Sequence, residues 1–377
     1  MLKGAVLAGG LGKRLRPLTD FVPKPLLFVG GKTMLGHALS ALQAVGIGEV
    51  AVVVSPHTAD AVRRSVEGIR GPRVMFYSQE KPMGTADAVH ALSGFLAKGD
   101  RVLVVSSDVT LNVPSLSALL AADSEGDWDA SVLGVRVSDP SKYGVLVSDG
   151  RKLVEVVEKP KRWVGDLINS GVYVLSERAV RMAGDVRLSE RGEREVTDVF
   201  SELSKEGRAQ VVPEANPSWW HDVGSLPQLL AANRYYLERG EGLDEGYVPA
   251  GKSRATPEGG KVVGPSHVSE GASVRGRVGP YATLEAGVSV GEGATVIDSV
   301  LMRGSSVEAG REVEVVVAAP RAVVEEDVRG EAARPILVVR YDRTARGADG
   351  PPPSARSSRA EPMARGSELS RGSPDRT

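Results

Sequence analysis

GAVLAGGLGKRLRPLTDFVPKPL, the stretch from Gly4 to Leu26, decides how the rest of this 377-residue chain is read. The apolar run Ala5, Val6, Leu7 and Ala8 predicts a buried strand. It stops at Gly9-Gly10, resumes with Gly12 and gives way to Arg14, Arg16 and Lys24. Glycines let a backbone approach a ligand closely and turn its N–H groups inward, which is how phosphate is cradled. Cations fixed beside such a loop suit a polyphosphate. A strand followed by a Gly-rich turn is also the ordinary form of a tight βα connection, so the details matter. The third glycine of a dinucleotide fingerprint is replaced by Leu15. The Ser or Thr that completes a P-loop is replaced by Arg14 after Gly12-Lys13. No helix begins cleanly before Pro17, and Pro23 and Pro25 keep the Lys24 segment extended. The reading is a long irregular phosphate loop with Arg14 and Lys24 at its two ends.

Written as a pattern, GG-x-G-x-RL-x-PLT-x-x-x-PKP resembles the signature of the sugar-1-phosphate nucleotidyltransferases, also called NDP-sugar pyrophosphorylases. The position between Gly12 and Arg14, often Thr in that family, is Lys13 here. The resemblance runs from about Met1 to Asn233. It implies that Leu7, Ala8, Gly9, Gly10 and Gly12 line a nucleotide, and that Arg14 and Lys24 are catalytic cations.

Composition sets wider bounds. The chain is long enough for two domains and a sizeable core. Its formal net charge of −1 offers no electrostatic footprint for nucleic acid. It has no cysteine, so disulfides and thiolate metal sites are excluded and any metal must sit on oxygen or imidazole. The opening MLKGAVLAGG is too short an apolar run for a signal peptide, and no segment approaches a membrane span. A cytoplasmic protein is expected.

From Met1 to about Asn233, predicted strands alternate with helices. Val50–Val54, Arg101–Val105 and Ala130–Val137 read as strands; Leu35–Val45 and Thr85–Leu96 carry apolar residues at helical spacing. This alternation predicts an α/β fold with a largely parallel sheet, and the resemblance implies a Rossmann-like nucleotidyltransferase domain over residues 1–240 with a mixed, mostly parallel sheet. Ligands then sit at the carboxyl ends of strands, where the glycine loop and Asp108 both fall. Past Tyr247 the texture changes. Apolar residues recur every six positions: Val262, Val268 and Val274; Val278, Leu284, Val290 and Val296; Leu301, Val307 and Val313. The register slips before Val278 and before Leu301. A β-sandwich explains alternating valines but not a sustained hexad, which predicts a short parallel β-helix over residues 241–330. It resembles the left-handed β-helix of hexapeptide-repeat proteins. The remainder, 331–377, reads as a largely disordered tail; from Gly347 onward it is rich in Pro, Ser, Gly and Arg.

Several polar residues stand where chemistry is expected. Asp108 ends the apolar VLVVSS strand and is placed either to hold Mg²⁺ on a phosphate or to cap the next helix. Asp222 lies in SWWHDVGS, an odd setting for a surface charge. The resemblance implies that Asp108 and Asp222 together bind the catalytic metal, here Mg²⁺. Ser107 departs from the Gly that many relatives carry there. SQEKPMGTADA, from Ser78 to Ala88, matches the family's base-reading loop. In it Gln79 carries amide groups that can pair with a pyrimidine edge, Gly84 lets the backbone close on the base, and Thr85 starts a helix that it can cap. By the same resemblance, Gly144, Glu158 and Asn169 contact sugar hydroxyls, and Lys159 contacts the sugar phosphate. Glu195-Val196-Thr197-Asp198 resembles a further signature at the sugar end.

The expected reaction joins an NTP and a sugar 1-phosphate into an NDP-sugar with release of pyrophosphate, by positioning and charge neutralisation. The partners are these two substrates, with no nucleic acid and no membrane, and a homo-oligomer is the expected state. UTP or dTTP with a glucose-type 1-phosphate is favoured. Three alternatives stay open: a mannose-1-phosphate guanylyltransferase, a bifunctional uridylyltransferase and amino-sugar acetyltransferase using His267, and a non-catalytic assembly subunit of the exchange-factor type.

Overall fold

The computed structural model describes residues 1–67, 71–80, 83–189 and 192–339. These belong to one compact unit. Strand β1 (Leu2–Leu7) carries the opening apolar run; a hairpin, β2 (Phe28–Val29) and β3 (Lys32–Thr33), then leads into helix α1 (Met34–Ala44). The alternation continues through β4 (Glu49–Val54), α2 (Ala59–Val66), β5 (Arg73–Ser78), α3 (Thr85–His90), β6 (Arg101–Ser106), α4 (Val113–Ser124) and β7 (Ala130–Arg136). It is completed by β8 (Gly144–Asp149), β9 (Lys152–Glu158), β10 (Leu167–Ser176), α5 (Glu177–Met182), α6 (Val196–Lys205), β11 (Ala209–Pro213) and α7 (Leu226–Arg239).

All of these strands except the β2–β3 hairpin form one sheet in the order β5-β4-β1-β6-β10-β7-β11-β9-β8. The side built from the start of the chain, β5-β4-β1-β6, is parallel. Beyond it the sheet is mixed. β10 runs antiparallel to both β6 and β7, β11 is parallel to β7, and β8 and β9 form an antiparallel hairpin. The parallel pairing therefore covers less of the sheet than the alternation predicts, because the β8–β9 hairpin reverses the chain before it re-enters as β10. Successive side chains alternate between two cores. Ala5, Ala51, Val53, Val102 and Val104 face one; Val6, Val50, Val52, Val54 and Leu103 face the other. A strand covered on both faces has no polar side, which is why these strands read as unbroken apolar runs.

The loop after β1 differs from its prediction. It folds into three single 3₁₀ turns, Lys13–Leu15, Leu18–Asp20 and Lys24–Leu26. The first precedes Pro17, and the third contains Lys24, which is therefore not extended. Pro25 sits in the first positions of that turn, where a missing N–H costs nothing. The helix predicted to Leu96 is α-helical only to His90 and continues as a 3₁₀ turn over Ala91–Gly94.

After α7 the chain winds into a parallel β-helix with three faces. Val262, Val278, Val296, Val313 and Val328 stack on one. Val268, Leu284, Leu301 and Ala318 stack on the second. Val274, Val290, Val307 and Val324 stack on the third. The two slips in the hexad fall at corners between faces, so the stacking of inward residues survives them. This arrangement fits the left-handed β-helix of hexapeptide-repeat proteins. The β-helix passes the predicted end at residue 330: Ile336–Val338 pairs with Val316–Ala318 and closes the last coil. The tail prediction thus begins too early, and residues 340–377 lie outside the described residues. Among the described residues no helix is long and apolar enough to cross a membrane.

Candidate active site

The site starts from the pairing of β1 with β6. Leu7 stands opposite Ser106, and the Ser107 N–H donates to the Leu7 carbonyl at 3.1 Å. The glycine loop and Asp108 therefore leave the sheet side by side, at the carboxyl ends of adjacent parallel strands. Ala8 is held by its N–H to the Val53 carbonyl, and Thr19 Oγ1 donates to the Gly12 carbonyl and folds the loop back. Leu15 and Leu18 bury their side chains and pin the loop from below. No atom lies within 4 Å of the place a Cβ would take at Gly10, so the loop opens onto free space there.

A short antiparallel bridge then brings the two distant carboxylates together. Val109 pairs with Asp222, the Val223 N–H donates to the Asp108 carbonyl at 2.7 Å, and the Thr110 N–H donates to the His221 carbonyl at 3.1 Å. Thr110 Oγ1 tightens this further by donating to the Trp219 carbonyl and accepting from the His221 N–H. Lys24 lies between the carboxylates: its Nζ donates to Asp108 Oδ2 at 2.6 Å and stands 3.9 Å from Asp222 Oδ1. The lysine side chain is only 9% exposed, so its charge requires these partners. Arg14 reaches Asp222 Oδ2 from the solvent side at 3.5 Å, and Tyr143 Oη donates to the same oxygen at 3.3 Å. Burial and the neighbouring Asp108 charge raise the Asp222 pKa. Asp108 is also opposed by burial, but Lys24 outweighs it and holds that carboxyl below its ordinary value. Burial and Asp222 push the Tyr143 hydroxyl up to about 12.

Gln79, Gly9 and Gly84 meet on one side of this centre. Gln79 is buried, donates from Nε2 to the Gly84 carbonyl at 2.9 Å, and turns Oε1 toward the Gly9 backbone. One amide N–H and the carbonyl oxygen remain for a ligand. Gly84 precedes α3 with φ of 120°, and a Cβ there would strike the Arg194 carbonyl oxygen at 2.3 Å. Thr85 does not cap its own helix; Gly84 holds that position. Its Oγ1 instead accepts from the Val196 N–H at 2.9 Å and so ties this loop to the start of α6.

On the other side, Thr197 Oγ1 donates to Glu158 Oε2 at 3.1 Å. Glu158 lies opposite Gly144 in the β8–β9 hairpin, and its carboxylate fills the space a side chain at 144 would need. Lys159 follows with φ of 45°, strained for a lysine, its N–H on the Tyr143 carbonyl and its Nζ 3.4 Å from Glu158 Oε1. Strain of this kind collects where function over-determines the backbone. Asn169 sits at the irregularity in β10, where its Oδ1 accepts from the Gly171 N–H; Gly171 packs on Ser106 at the end of β6.

A model of the nucleotidyl transferase family matches residues 3–239. A glucose-1-phosphate thymidylyltransferase of Streptomyces griseus is 33% identical over 83% of this chain and 90% of its own length. A mannose-1-phosphate guanyltransferase of Pichia angusta is 33% identical over 63% of this chain and 64% of its own length. The crystal structure of a Bacillus anthracis protein, described as a glucose-1-phosphate thymidylyltransferase in complex with sucrose, superposes with a TM-score of 0.57 at 28% identity, covering 63% of this chain and 95% of the other. The chain belongs to the sugar-1-phosphate nucleotidyltransferases.

The nucleotidyltransferase thus joins an NTP to a sugar 1-phosphate and releases pyrophosphate. Its family works with a divalent cation, and the donor set here suits one. Asp108 and Asp222 already share a cation, the Lys24 ammonium, between them. Among the described residues no group of three or more acidic, His or Cys side chains is placed to hold a metal ion, at this centre or elsewhere. Two carboxylates leave the rest of a coordination shell to phosphate oxygens and water, which is how hard cations sit on nucleotides. Three residues make contacts that the sequence reading did not assign. Tyr143 was visible only as the neighbour of Gly144, yet it meets Asp222. Trp220 packs edge-on against the Tyr143 ring at 5.4 Å and donates to the Ser170 carbonyl. Thr197 orients Glu158. The Trp pair beside Asp222 was the available signal, and its meaning lies in the Tyr143 contact. His267, by contrast, is 1% exposed and packed against Phe28, with Nε2 on Asp244; it is enclosed and has no open face on which to act as a base.

Proposed function

We propose that the enzyme transfers a pyrimidine nucleotide, from dTTP or UTP, to glucose 1-phosphate with Mg²⁺. Residues 1–240 would be the catalytic domain and the β-helix from 241 onward a second domain. The observation that carries the base assignment is Gln79, buried beside Gly9 with its carbonyl oxygen and one N–H uncommitted. That donor–acceptor pair complements the O4 and N3–H edge shared by uracil and thymine. The Streptomyces griseus relative, which matches through the β-helix as well, supports glucose 1-phosphate as the acceptor.

A phosphate oxygen of the sugar attacks the α-phosphorus, the bond to the β-phosphate oxygen breaks, and pyrophosphate leaves. Lys24, fixed by burial, neutralises the α-phosphate; Arg14, exposed beside Asp222, takes the leaving pyrophosphate; Lys159 orients the attacking phosphate. Gly144, Glu158 and Asn169 hold the sugar. Mg²⁺ held by Asp108 and Asp222 would supply further charge neutralisation between the phosphates.

The test is pyrophosphate release from each of four NTPs with glucose, N-acetylglucosamine and mannose 1-phosphates. UTP or dTTP should exceed GTP by at least about tenfold in kcat/KM, because unmatched buried donors and acceptors each cost about 1–3 kcal/mol. Gln79→Ala should narrow that gap. The Pichia angusta relative favours a second reading, a mannose-1-phosphate guanylyltransferase, and preference for GTP with mannose 1-phosphate would establish it in place of the first.

A further inference from the structure

We propose that Asn233 is a positioning residue for the reacting centre, and that Thr283 of the β-helix completes its action. The proposal rests on the reading of Lys24, Asp108 and Asp222 as that centre.

Asn233 lies on α7, fully buried. A buried amide is costly unless its groups are bonded, and here they are. Oδ1 accepts from the Gly30 N–H at 2.8 Å and from Thr283 Oγ1 at 2.6 Å; Nδ2 donates to the Tyr281 carbonyl at 2.9 Å. One side chain therefore joins three separate parts of the chain. Gly30 is the turn of the β2–β3 hairpin that directly follows the Lys24 turn, with Leu27 and Val29 buried between them. Tyr281 and Thr283 belong to the β-helix.

The residues next to Asn233 on α7 hold the other loop. Tyr235 Oη donates to the Leu111 carbonyl at 3.0 Å, and Tyr236 Oη accepts from the Leu111 N–H at 3.2 Å. Leu111 lies three residues beyond Asp108, and Thr110 between them is bonded to the segment that carries Asp222. Arg234 pairs with Asp298 on the β-helix through Nε at 2.7 Å. One turn of α7 thus sets the Lys24 loop and the Asp108 loop against each other and is itself held by the β-helix. The buried core agrees: Leu15, Leu18, Leu27 and Val29 of the phosphate-loop region share one cluster with Val262, Val278 and Leu284. The β-helix is in this sense part of the catalytic frame.

Thr283→Val in the full-length enzyme removes the one hydroxyl through which Thr283 donates to Asn233. It should lower kcat about tenfold, since displacement of a reacting group by a fraction of an ångström is costly. It should raise the Mg²⁺ concentration for half-maximal turnover at least about threefold and weaken Mn²⁺ binding, followed by EPR, in parallel. The KM for the sugar phosphate should stay unchanged, and Thr283→Ser should restore all three properties. Ser289→Ala, on an outward face of the β-helix, should behave as wild type. Wild-type kcat and metal response in a folded Thr283→Val enzyme would overturn the proposal, whatever its melting temperature. If near-UV circular dichroism shows that variant unfolded, Thr283→Ala is judged by the same outcomes. Asp108→Asn is assayed alongside. Retained turnover there overturns the reading of the centre and this proposal with it; an inactive Asp108→Asn beside a normal Thr283→Val overturns the proposal alone.

Discussion

Asp108 and Asp222 stand 114 positions apart in sequence, yet both carboxylates lie within reach of one ammonium group. Replacing either by Asn keeps the shape and removes one charge from the centre. Turnover should fall about a hundredfold or more, as when a preorganised electrostatic group is lost, with near-UV circular dichroism unchanged. Normal Mg²⁺-dependent turnover in either variant would remove that residue from the centre. The two substitutions should not be equivalent in their side effects. Asp108 carries the direct 2.6 Å bond to the buried Lys24, so its loss strands a charge, whereas Asp222 shares its load with Arg14 and Tyr143. Asp108→Asn should therefore lower the melting temperature more than Asp222→Asn.

The segment around α3 depends on a backbone shape rather than on a side chain. Gly84 takes φ of 120° and passes within contact of the Arg194 backbone, while the Arg194 N–H bonds the Met83 carbonyl and the Ala86 N–H bonds the Arg194 carbonyl. Gly84→Ala must move one of these backbones. The strain alone costs about 1–3 kcal/mol, and because Gln79 Nε2 leans on the Gly84 carbonyl, the nucleotide side should suffer first. The expected result is a lower melting temperature with KM for the NTP raised more than KM for the sugar phosphate. In the β-helix the weak point is different. Leu284 is fully buried between Val268 and Leu301; Leu284→Ala should cost about 2–5 kcal/mol of stability, measured by denaturant unfolding.

The seam between the sheet domain and the β-helix carries a pH dependence for the whole molecule. His37 is enclosed, stacks on Tyr236 at 3.5 Å and bonds the Val29 carbonyl through Nε2. Burial, aided by Lys32 and His267, pushes its pKa from 6.5 down to about 3. The unfolded chain therefore takes up a proton before the folded one does. Stability from the neutral ring is complete above about pH 6.5 and is lost as pH falls toward 3, at up to about 1.4 kcal/mol per pH unit. Thermal melts between pH 8 and pH 5 should show this slope, and His37→Gln should flatten it. An unchanged slope would assign the acid sensitivity to other groups.

Local sequence was enough for whatever depends on neighbours along the chain. The apolar run into Gly9-Gly10 reads as β1 and its loop because burial on both faces leaves no polar position. The hexad from Val262 to Val313 reads as stacked coils because only a sixfold repeat returns a side chain to the same interior. The candidate cations Arg14 and Lys24 were legible through a motif of long, specific spacing, and the candidate carboxylates Asp108 and Asp222 through a strand end and a Trp-flanked segment. Other features were decided by residues far apart in the chain. The 3₁₀ turn at Lys24 forms around a buried ammonium whose partner is 84 residues away. Thr85 serves α6 instead of α3: its Oγ1 accepts from the Val196 N–H, 111 residues along the chain. The last coil runs past residue 330 because Ile336–Val338 finds a free strand edge at Val316–Ala318. Tyr143 joins the centre, and Asn233 links loop, helix and β-helix, through hydrogen bonds that no spacing encodes. Periodicity reports which face of an element is buried; which polar atoms meet across elements is settled only when the elements pack.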